Sequence, residues 1–238
     1  MLYLIGLGLN EKSISIEGIE AIKKCKKIYL ENYTINFPYE IKEIEKIIER
    51  KIEKLDRVSV ESDKIINEAK KDDICLLIYG SPLFATTHIS LIIDAEKSKV
   101  KYKVIFSASV FDAIAETGLQ MYKFGKISSM PSWQKNYEPH SFLDFVEQNQ
   151  SINAHSIILV DIGLSFEKAI NQLIKVSLIK NIKIDRIIVC SNLGTKKSKI
   201  YYGTLEKLKR IKIESPFCFI IPAEMHFIEK EFIERYSV

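Results

Sequence analysis

The feature that most constrains the fold is a stretch in which a buried strand is followed directly by a loop and a helix. The apolar run 74–79 has the length of a strand covered on both faces, and the Gly-Ser-Pro sequence at 80–82 then predicts a turn. A helical pattern follows, with Ile89, Ile92 and Ile93 predicted on its inner face. In α/β folds such strand-to-helix loops bind small molecules, because the carboxyl ends of parallel strands meet at one edge of the sheet.

Strand and helix signals alternate along the first hundred residues. Strands are predicted at 2–5, 28–30, 74–79 and 102–106, and helices after Ser15, over 39–50, after Ser62 and from 89. Ser15 and Ser62 are the expected N-caps of their helices, because a serine hydroxyl accepts a hydrogen bond from the first turn. This alternation predicts a mostly parallel sheet with helices on both faces.

The second half of the chain repeats the α/β character less regularly. Strands are predicted at 156–162, 187–190 and 217–221, and helices over 141–146, 165–179 and 203–210 and at the C-terminus. Ser141 and Ser165 begin two of these helices, and a polar, basic loop is expected at 192–199. We therefore predict an N-terminal α/β domain at 1–108 and a C-terminal α/β domain at 109–238, with mostly parallel or mixed sheets.

Composition and charge argue against several classes of protein. The net charge of +4 comes from 35 basic and 31 acidic residues spread along the chain, which is too weak an imbalance to predict nucleic-acid binding. The four cysteines are far apart and the four histidines are scattered, so no metal site is predicted and a reducing, cytoplasmic compartment fits best. No apolar run has membrane-spanning length, so no membrane association is expected.

The glycines after the first strand do not form a dinucleotide fingerprint. Gly6 and Gly8 match its first two positions, but Glu11 stands where the third glycine is required. We interpret these glycines as a tight turn through which the backbone approaches a ligand. No Walker lysine loop, HExxH or GxSxG sequence is present, so the residues alone do not name a reaction.

Four segments stand out along the chain, namely YLIGLGL at 3–9, GSPLFATTH at 80–88, ETGLQMYKFGK at 116–126 and the segment 222–229. Taken in order, they resemble the diphthine synthases, the AdoMet-dependent methyltransferases of diphthamide biosynthesis. The ATTH and ETGLQxYKFGK sequences are specific to this family. The first glycines and the GxP turn are shared with the wider tetrapyrrole methylase-like superfamily, and the resemblance covers essentially the whole chain.

The resemblance implies two α/β domains with AdoMet in the cleft between them, and a homodimer. It implies translation elongation factor 2 as the protein substrate, at a histidine that already carries a 3-amino-3-carboxypropyl group. In this family methyl groups go to the amine, three times in the archaeal branch, while the eukaryotic branch adds a fourth as an ester. The compact chain, without long insertions, favours the archaeal branch.

The cofactor contacts of the family can be transferred to this chain by position. Most of these residues are apolar or offer backbone groups, as expected for a ligand held in an apolar pocket by main-chain contacts. The resemblance implies contacts at Leu9, Ser81, Phe84, Ser109, Val110, Val160, Leu193 and His226.

Two of the implied contacts depart from the family pattern. The family usually has Asp at the position of Ser81, and serine keeps a hydrogen-bonding oxygen while losing the negative charge. A charge-assisted bond to the cofactor is then expected to weaken. Around Leu193 the family tends to Ala-Arg-Ala-Gly, whereas this chain has Ser-Asn-Leu-Gly at 191–194.

No residue is assigned as a catalytic base from the sequence. Methyl transfer from a sulfonium requires mainly that the amine and the methyl carbon be aligned, so a dedicated base is not required by the chemistry. Two alternatives stay open. One is a tetrapyrrole or RNA methyltransferase of the same superfamily, and the other is a non-catalytic AdoMet-binding module.

Overall fold

The protein is described by a computed structural model of all 238 residues, which form two compact units, Met1–Asp112 and Ala113–Val238. Each unit contains one five-stranded sheet with helices packed against it. The α/β class expected from the sequence is confirmed, with a parallel sheet in the first unit and a mixed sheet in the second. No helix combines the length and the apolar character needed to cross a bilayer.

The first unit is built on a sheet in which all neighbouring strands are parallel, in the order β3-β2-β4-β1-β5. Its strands are β1 (Leu2–Gly6), β2 (Lys27–Glu31), β3 (Glu53–Leu55), β4 (Ile74–Ile78) and β5 (Tyr102–Ile105). Its helices are α1 (Ile16–Lys24), α2 (Ile41–Ile48), α3 (Arg57–Val60), α4 (Lys64–Ala69) and α5 (Ile89–Lys97). A short helix, α6 (Val110–Ala113), follows.

Side chains alternate between the two faces of this sheet, and each face has its own helices. Along β1, Leu2 and Leu4 pack with α4 and α5, whereas Tyr3 and Ile5 pack with α1 and α2 on the other face. The neighbouring strands β1 and β4 are therefore followed by helices on opposite faces. The two chain segments continue to opposite faces of the sheet, and α/β sheets bind ligands outside the carboxyl ends of strands at such a switch in topology.

The second unit contains a sheet of order β6-β7-β10-β8-β9, in which β6 and β7 are parallel and the other pairs are antiparallel. Its strands are β6 (Ser128–Met130), β7 (Ser156–Val160), β8 (Ile187–Ser191), β9 (Lys199–Gly203) and β10 (Phe217–Ile221). Its helices are α7 (Ser141–Ser151), α8 (Phe166–Ile179), α9 (Leu205–Leu208) and α10 (Phe227–Ile233). Short 3-10 helices span Ile114–Thr117, Met121–Lys123 and Glu234–Tyr236.

The predicted inner face of α5 is wrong in part. The buried residues are Leu91, Ile92 and Ala95, while Ile89 and Ile93 are exposed. The sequence of the helix begins with Ile-Ser-Leu-Ile-Ile, which places apolar side chains on almost every side, so periodicity alone does not determine which side packs on the sheet.

Two of the predicted N-caps are also corrected. The residue before α7 is His140, and Ser141 is already inside that helix, which continues to Ser151 rather than ending at 146. The N-cap of α4 is Asp63, although the Ser62 hydroxyl still accepts a hydrogen bond from the Lys64 N–H. Ser15 caps α1 as predicted, and Ser165, at which the next helix is predicted to begin, is the N-cap of α8; each hydroxyl accepts from the backbone N–H three residues on.

Four elements were absent from the prediction. They are β3, α3, β6 and β9, and the first three are only three or four residues long. Strand β9 pairs with β8 alone and carries exposed, half-buried and buried residues, so it lacks the continuous apolar run of a central strand.

Candidate functional site

The loops after β1 and β4 lie against each other at the carboxyl edge of the first sheet. Gly8 and Gly80 exchange two backbone hydrogen bonds, with N···O distances of 3.2 and 3.0 Å. A Cβ at Gly6 would lie 2.6 Å from the Gly80 carbonyl oxygen, so a side chain at that position would push the two loops apart. These glycines therefore pack the two loops against each other, whereas the predicted approach of the backbone to a ligand stays a prediction.

Five of the eight predicted cofactor contacts lie on loops at this edge, which follow the adjacent strands β4, β1 and β5. Leu9 is buried, and its carbonyl accepts a hydrogen bond from the Tyr79 hydroxyl at 3.0 Å. Ser109 is also buried, and its backbone N–H and hydroxyl both donate to one Asp112 carboxylate oxygen at 2.6 and 3.0 Å. Val110 is half-buried at the start of α6.

The other two of these five residues belong to the turn after β4. Ser81 is half-buried, and its carbonyl accepts a hydrogen bond from the Phe84 N–H at 3.3 Å. The Phe84 side chain is 47% exposed and packs against Phe111, with ring centroids 4.1 Å apart. The turn therefore offers an aromatic surface and a hydroxyl beside the paired glycines.

The ATTH sequence closes this turn around one carbonyl group. The Pro82 carbonyl oxygen accepts a hydrogen bond from the Thr86 hydroxyl at 3.1 Å and lies 3.2 Å from His88 Nδ1. A carbonyl oxygen can only accept, so the Nδ1 atom of His88 must carry the proton in this contact. Both ends of the turn are thus tied to the same atom.

The other ring nitrogen of His88 faces a buried carboxylate. Nε2 has no hydrogen-bond partner and lies 3.6 Å from an oxygen of Glu31, whose side chain is fully buried at the end of β2. Glu31 also accepts from the Thr34 N–H and hydroxyl and from the Tyr33 N–H. Burial lowers the pKa of His88, and the Glu31 carboxylate offsets this effect only in part.

The three predicted contacts in the second unit do not lie at one edge of its sheet. Val160 ends β7 and Leu193 follows β8, and these two strands run in the same direction because β10 is antiparallel to both. His226 follows the carboxyl end of β10, at the opposite edge, so the length of a strand, about 17 Å, separates the two edges. Leu193 is buried, Val160 is half-buried and His226 is exposed.

His226 is the N-cap of α10 and is held there by a buried glutamate. Its Nδ1 accepts from the Ile228 N–H, and its own N–H donates to Glu229 Oε2 at 2.7 Å, which forms a capping box. The other Glu229 oxygen accepts from the Gln120 N–H at 2.8 Å and from His155 Nε2 at 3.1 Å.

Glu229 therefore connects His226 with the ETGLQMYKFGK segment. The Lys123 ammonium lies 3.8 Å from Glu229 and donates to the Glu224 carbonyl. Although burial by itself would raise the pKa of Glu229, hydrogen bonds from Gln120, His226 and His155 lower it overall.

The protonation of His155 is also determined by its partners. The Ala223 N–H donates to Nδ1 at 2.9 Å, so Nε2 carries the proton that is donated to Glu229. Burial lowers the pKa of His155, against an opposing effect of the Glu229 carboxylate. The neutral imidazole is the form that satisfies both contacts.

Sequence reasoning missed Glu31, Glu229 and the structural role of His155. Glu31 follows three apolar residues in β2, and nothing in the sequence distinguishes it from a surface residue at a strand end. Glu229 stands three residues after His226, which is the spacing of a capping box, and that spacing is the signal by which it could have been found.

Comparisons with known proteins agree with this architecture. The family model of the tetrapyrrole (corrin/porphyrin) methylases matches residues 1–209. The chain is 35% identical to the diphthine methyl ester synthase of Dictyostelium discoideum over 269 residues, covering 100% of this chain and 98% of that protein. It is 34% identical to the diphthine synthase of Methanococcus aeolicus over 246 residues, covering 97% of this chain and 96% of that protein.

A solved structure extends the agreement to three dimensions. A crystal structure of diphthine synthase superposes with a TM-score of 0.90 at 29% identity, covering 99% of this chain and 95% of that one. The fold and the family match define a methyltransferase of the tetrapyrrole methylase class. Within that class, this chain belongs to the diphthine synthase family, as the four sequence segments predicted.

Proposed function

We propose that the protein is an AdoMet-dependent N-methyltransferase that forms diphthine on translation elongation factor 2. The acceptor is the amino group of the modified histidine that is the precursor of diphthamide. Similarity to diphthine synthases and diphthine methyl ester synthases over the whole chain supports this proposal. The observation that carries it is the family-specific turn 80–88, which lies at the carboxyl edge of the sheet and is paired there with the loop after β1 through Gly8 and Gly80.

The residues of the first unit fit a cofactor held mainly by backbone groups. A Cβ at Gly80 would meet nothing closer than 3.8 Å, so the main chain is open to a ligand there, and the adjoining loops supply small or apolar residues that are buried or half-buried, except for the exposed Phe84. We propose contacts at Leu9, Ser81, Phe84, Ser109 and Val110 from the first unit and at Val160, Leu193 and His226 from the second.

Methyl transfer from AdoMet requires mainly that the protein align the acceptor amine with the methyl carbon. AdoMet supplies a methyl group on a sulfonium, which is already activated for transfer. The side chains and backbone groups around it orient the acceptor amine relative to the methyl carbon, which can contribute about 7–11 kcal/mol in favourable cases. The amine must lose its proton before it attacks, and we propose that this proton passes to water rather than to a dedicated base. A limiting pKa of the rate that moves on replacement of His88 or His226 would contradict this proposal.

Trimethylation of the amine is the activity that the two branches of the family have in common. The archaeal and eukaryotic relatives are equally similar to this chain, at 34% and 35% identity. The alignment runs over 246 residues for the first and 269 for the second, so the eukaryotic relative differs by larger insertions from this 238-residue chain. This compactness supports the archaeal type, with three methyl groups and no ester.

The assembly and compartment are part of the same proposal. We propose a homodimer that acts in the cytoplasm. The four cysteines, Cys25, Cys75, Cys190 and Cys218, are all free and buried, which fits a reducing compartment. A molar mass of one chain by light scattering, at the concentration of the activity assay, would contradict the dimer.

The proposed function is tested by label transfer from AdoMet to three acceptors. These are elongation factor 2 bearing the unmethylated 3-amino-3-carboxypropyl histidine, a precorrin-type tetrapyrrole and RNA. We expect label only on the modified elongation factor, and none on the same protein with an unmodified histidine. Label on the tetrapyrrole or RNA alone would establish a different substrate. Tight AdoMet binding without transfer to any acceptor would indicate a non-catalytic binding module.

A further inference from the structure

We propose that His88 is a positioning residue, which sets the affinity for AdoMet by fixing the Pro82 carbonyl and with it the turn that carries Ser81 and Phe84. This inference rests on the proposed function, in that AdoMet is taken as the ligand of the turn. It assigns a role to a buried residue that is not itself among the proposed cofactor contacts.

The first argument is the convergence of hydrogen bonds on Pro82. The Thr86 hydroxyl and His88 Nδ1 both reach the Pro82 carbonyl oxygen, at 3.1 and 3.2 Å, across four and six residues of chain. Between these points the chain passes through Ala85, whose φ of 55° lies in the left-handed region that residues with a Cβ rarely adopt. Such a turn needs fixed partners to keep one conformation, because its own backbone preference opposes it.

The second argument is the anchoring of the imidazole itself. His88 is 1% exposed, so it is held by its surroundings and makes no contact with solvent. Its Nε2 faces Glu31, which belongs to β2 and is fixed by hydrogen bonds from Tyr33 and Thr34. The Tyr33 ring also meets the His88 ring edge-on, with centroids 6.4 Å apart. With the proton on Nδ1, Nε2 has none to donate, so the Glu31 oxygen is a neighbour of the ring and not its hydrogen-bond partner. The histidine is held by its burial and by the edge contact with Tyr33, a residue that follows β2.

The third argument is the position of the turn relative to the proposed contacts. Ser81 immediately precedes Pro82, and its carbonyl accepts from the Phe84 N–H, so rotation of the Pro82 peptide would displace both residues. Neither His88 nor the Thr86 hydroxyl needs to touch the cofactor for this effect. Their loss is expected to weaken AdoMet binding and to leave the rate at saturating AdoMet almost unchanged.

The test compares four variants by calorimetry with AdoMet alone. In His88→Asn the amide nitrogen can take the place of Nδ1 and keep the bond to Pro82, whereas in His88→Gln it reaches toward Glu31 instead. Thr86→Val removes the second bond to Pro82 at a half-buried site, together with the longer bond of 3.4 Å that the hydroxyl accepts from the His88 N–H. Thr87→Val is its matched control, because Thr87 is exposed and its hydroxyl makes no hydrogen bond to that carbonyl.

We expect His88→Gln and Thr86→Val to raise the dissociation constant of AdoMet by about 2- to 12-fold, the change that corresponds to one lost hydrogen bond. His88→Asn is expected to stay closer to the wild-type value than His88→Gln, and Thr87→Val to match the wild type. In the methyl-transfer assay the KM for AdoMet should rise in parallel, with kcat changed less than about twofold.

Three results would overturn the inference. They are wild-type affinity in both His88→Gln and Thr86→Val, equal weakening in Thr86→Val and Thr87→Val, or a fall in kcat without a rise in KM. If His88→Gln does not fold, the two threonine variants decide the matter. Failure of the proposed function would give another result. If the wild-type protein bound AdoMet but did not methylate elongation factor 2, His88→Gln and Thr86→Val would still bind AdoMet more weakly than the wild type and Thr87→Val.

Discussion

At the scale of single residues, Gly8 and Gly80 illustrate how two similar glycines differ in what they tolerate. They have nearly the same backbone conformation, with φ of 69° and 71°. A Cβ at Gly8 would lie 2.3 Å from the Ser13 Cβ, whereas a Cβ at Gly80 would meet nothing closer than 3.8 Å.

Replacing these two glycines with alanine is therefore expected to have unequal effects. Gly80→Ala should cost about 1–2 kcal/mol of unfolding free energy, because only the left-handed backbone is strained. Gly8→Ala should cost about 1–3 kcal/mol more, because the added methyl group must also displace Ser13. Urea denaturation measures both values, and a larger loss in Gly80→Ala would mean that the loops are arranged differently.

Two buried histidines give the stability a defined dependence on pH. Burial lowers the pKa of His88 and His155 below the ordinary value of 6.5. When the pH falls below that value, the unfolded chain binds protons at both histidines before the native protein does. The free energy of unfolding is then expected to be fully present above about pH 6.5 and to decrease below it, by at most about 1.4 kcal/mol per pH unit for each histidine.

Urea denaturation between about pH 7.5 and about pH 5.5 checks this dependence. His155→Gln removes one of the two titrating groups and should make the decrease shallower. A free energy of unfolding that stays constant over this range would contradict the assignment of both histidines as neutral in the native state.

At the scale of elements, α5 shows the limit of apolar periodicity. Leu91 is 3% exposed and Ile93 is 44% exposed, although both belong to the same apolar run. Leu91→Ala is therefore expected to cost about 2–5 kcal/mol of unfolding free energy, and Ile93→Ala less than about 1 kcal/mol. Equal losses in a denaturation experiment would show that the outer face of α5 is covered, and a second copy of the chain would then be the first partner to examine.

Helix α10 depends on a charge that its sequence places on the inside. Glu229 is 1% exposed and accepts hydrogen bonds from Gln120, His155 and His226, whereas Glu231 on the same helix is exposed. Glu229→Gln replaces one of the two acceptor oxygens with an amide NH₂ group and removes the charge that faces Lys123. We therefore expect the free energy of unfolding to fall by about 1–3 kcal/mol. The free energy of unfolding of Glu231→Gln, measured by thermal or urea denaturation as for Glu229→Gln, should stay within about 0.5 kcal/mol of the wild-type value.

The elements that could be predicted from the sequence are those with a local cause. The apolar runs of β1, β4, β8 and β10 are buried from end to end, and Ser15 and Ser165 cap their helices through contacts three residues away. Helix α7 extends past its predicted end because Asn149 is buried and bonds both the N–H and the carbonyl of Lys126. The two residues of that contact are 23 positions apart in the sequence, and no local sequence pattern predicts it.

At the scale of the whole molecule, the predicted site divides into a part with a local signal and a part without one. The glycines and the ATTH turn could be found in the sequence because close backbone approach and tight turns restrict residue type. Glu31 and Glu229 could not be placed, because their partners are up to 109 residues away and only the fold brings them together. The resemblance implies the cofactor contacts, and the structure adds the buried pairs His88–Glu31 and His155–Glu229.

The most direct test of the central claim is mass spectrometry of elongation factor 2 after incubation with this protein and AdoMet. The substrate must carry the unmethylated 3-amino-3-carboxypropyl histidine, and fragmentation must locate each added methyl group. We expect three methyl groups on the amine of that residue and none elsewhere. The claim would be contradicted if elongation factor 2 gained no methyl group although this protein was folded and bound AdoMet, or if the methyl groups were found on other residues.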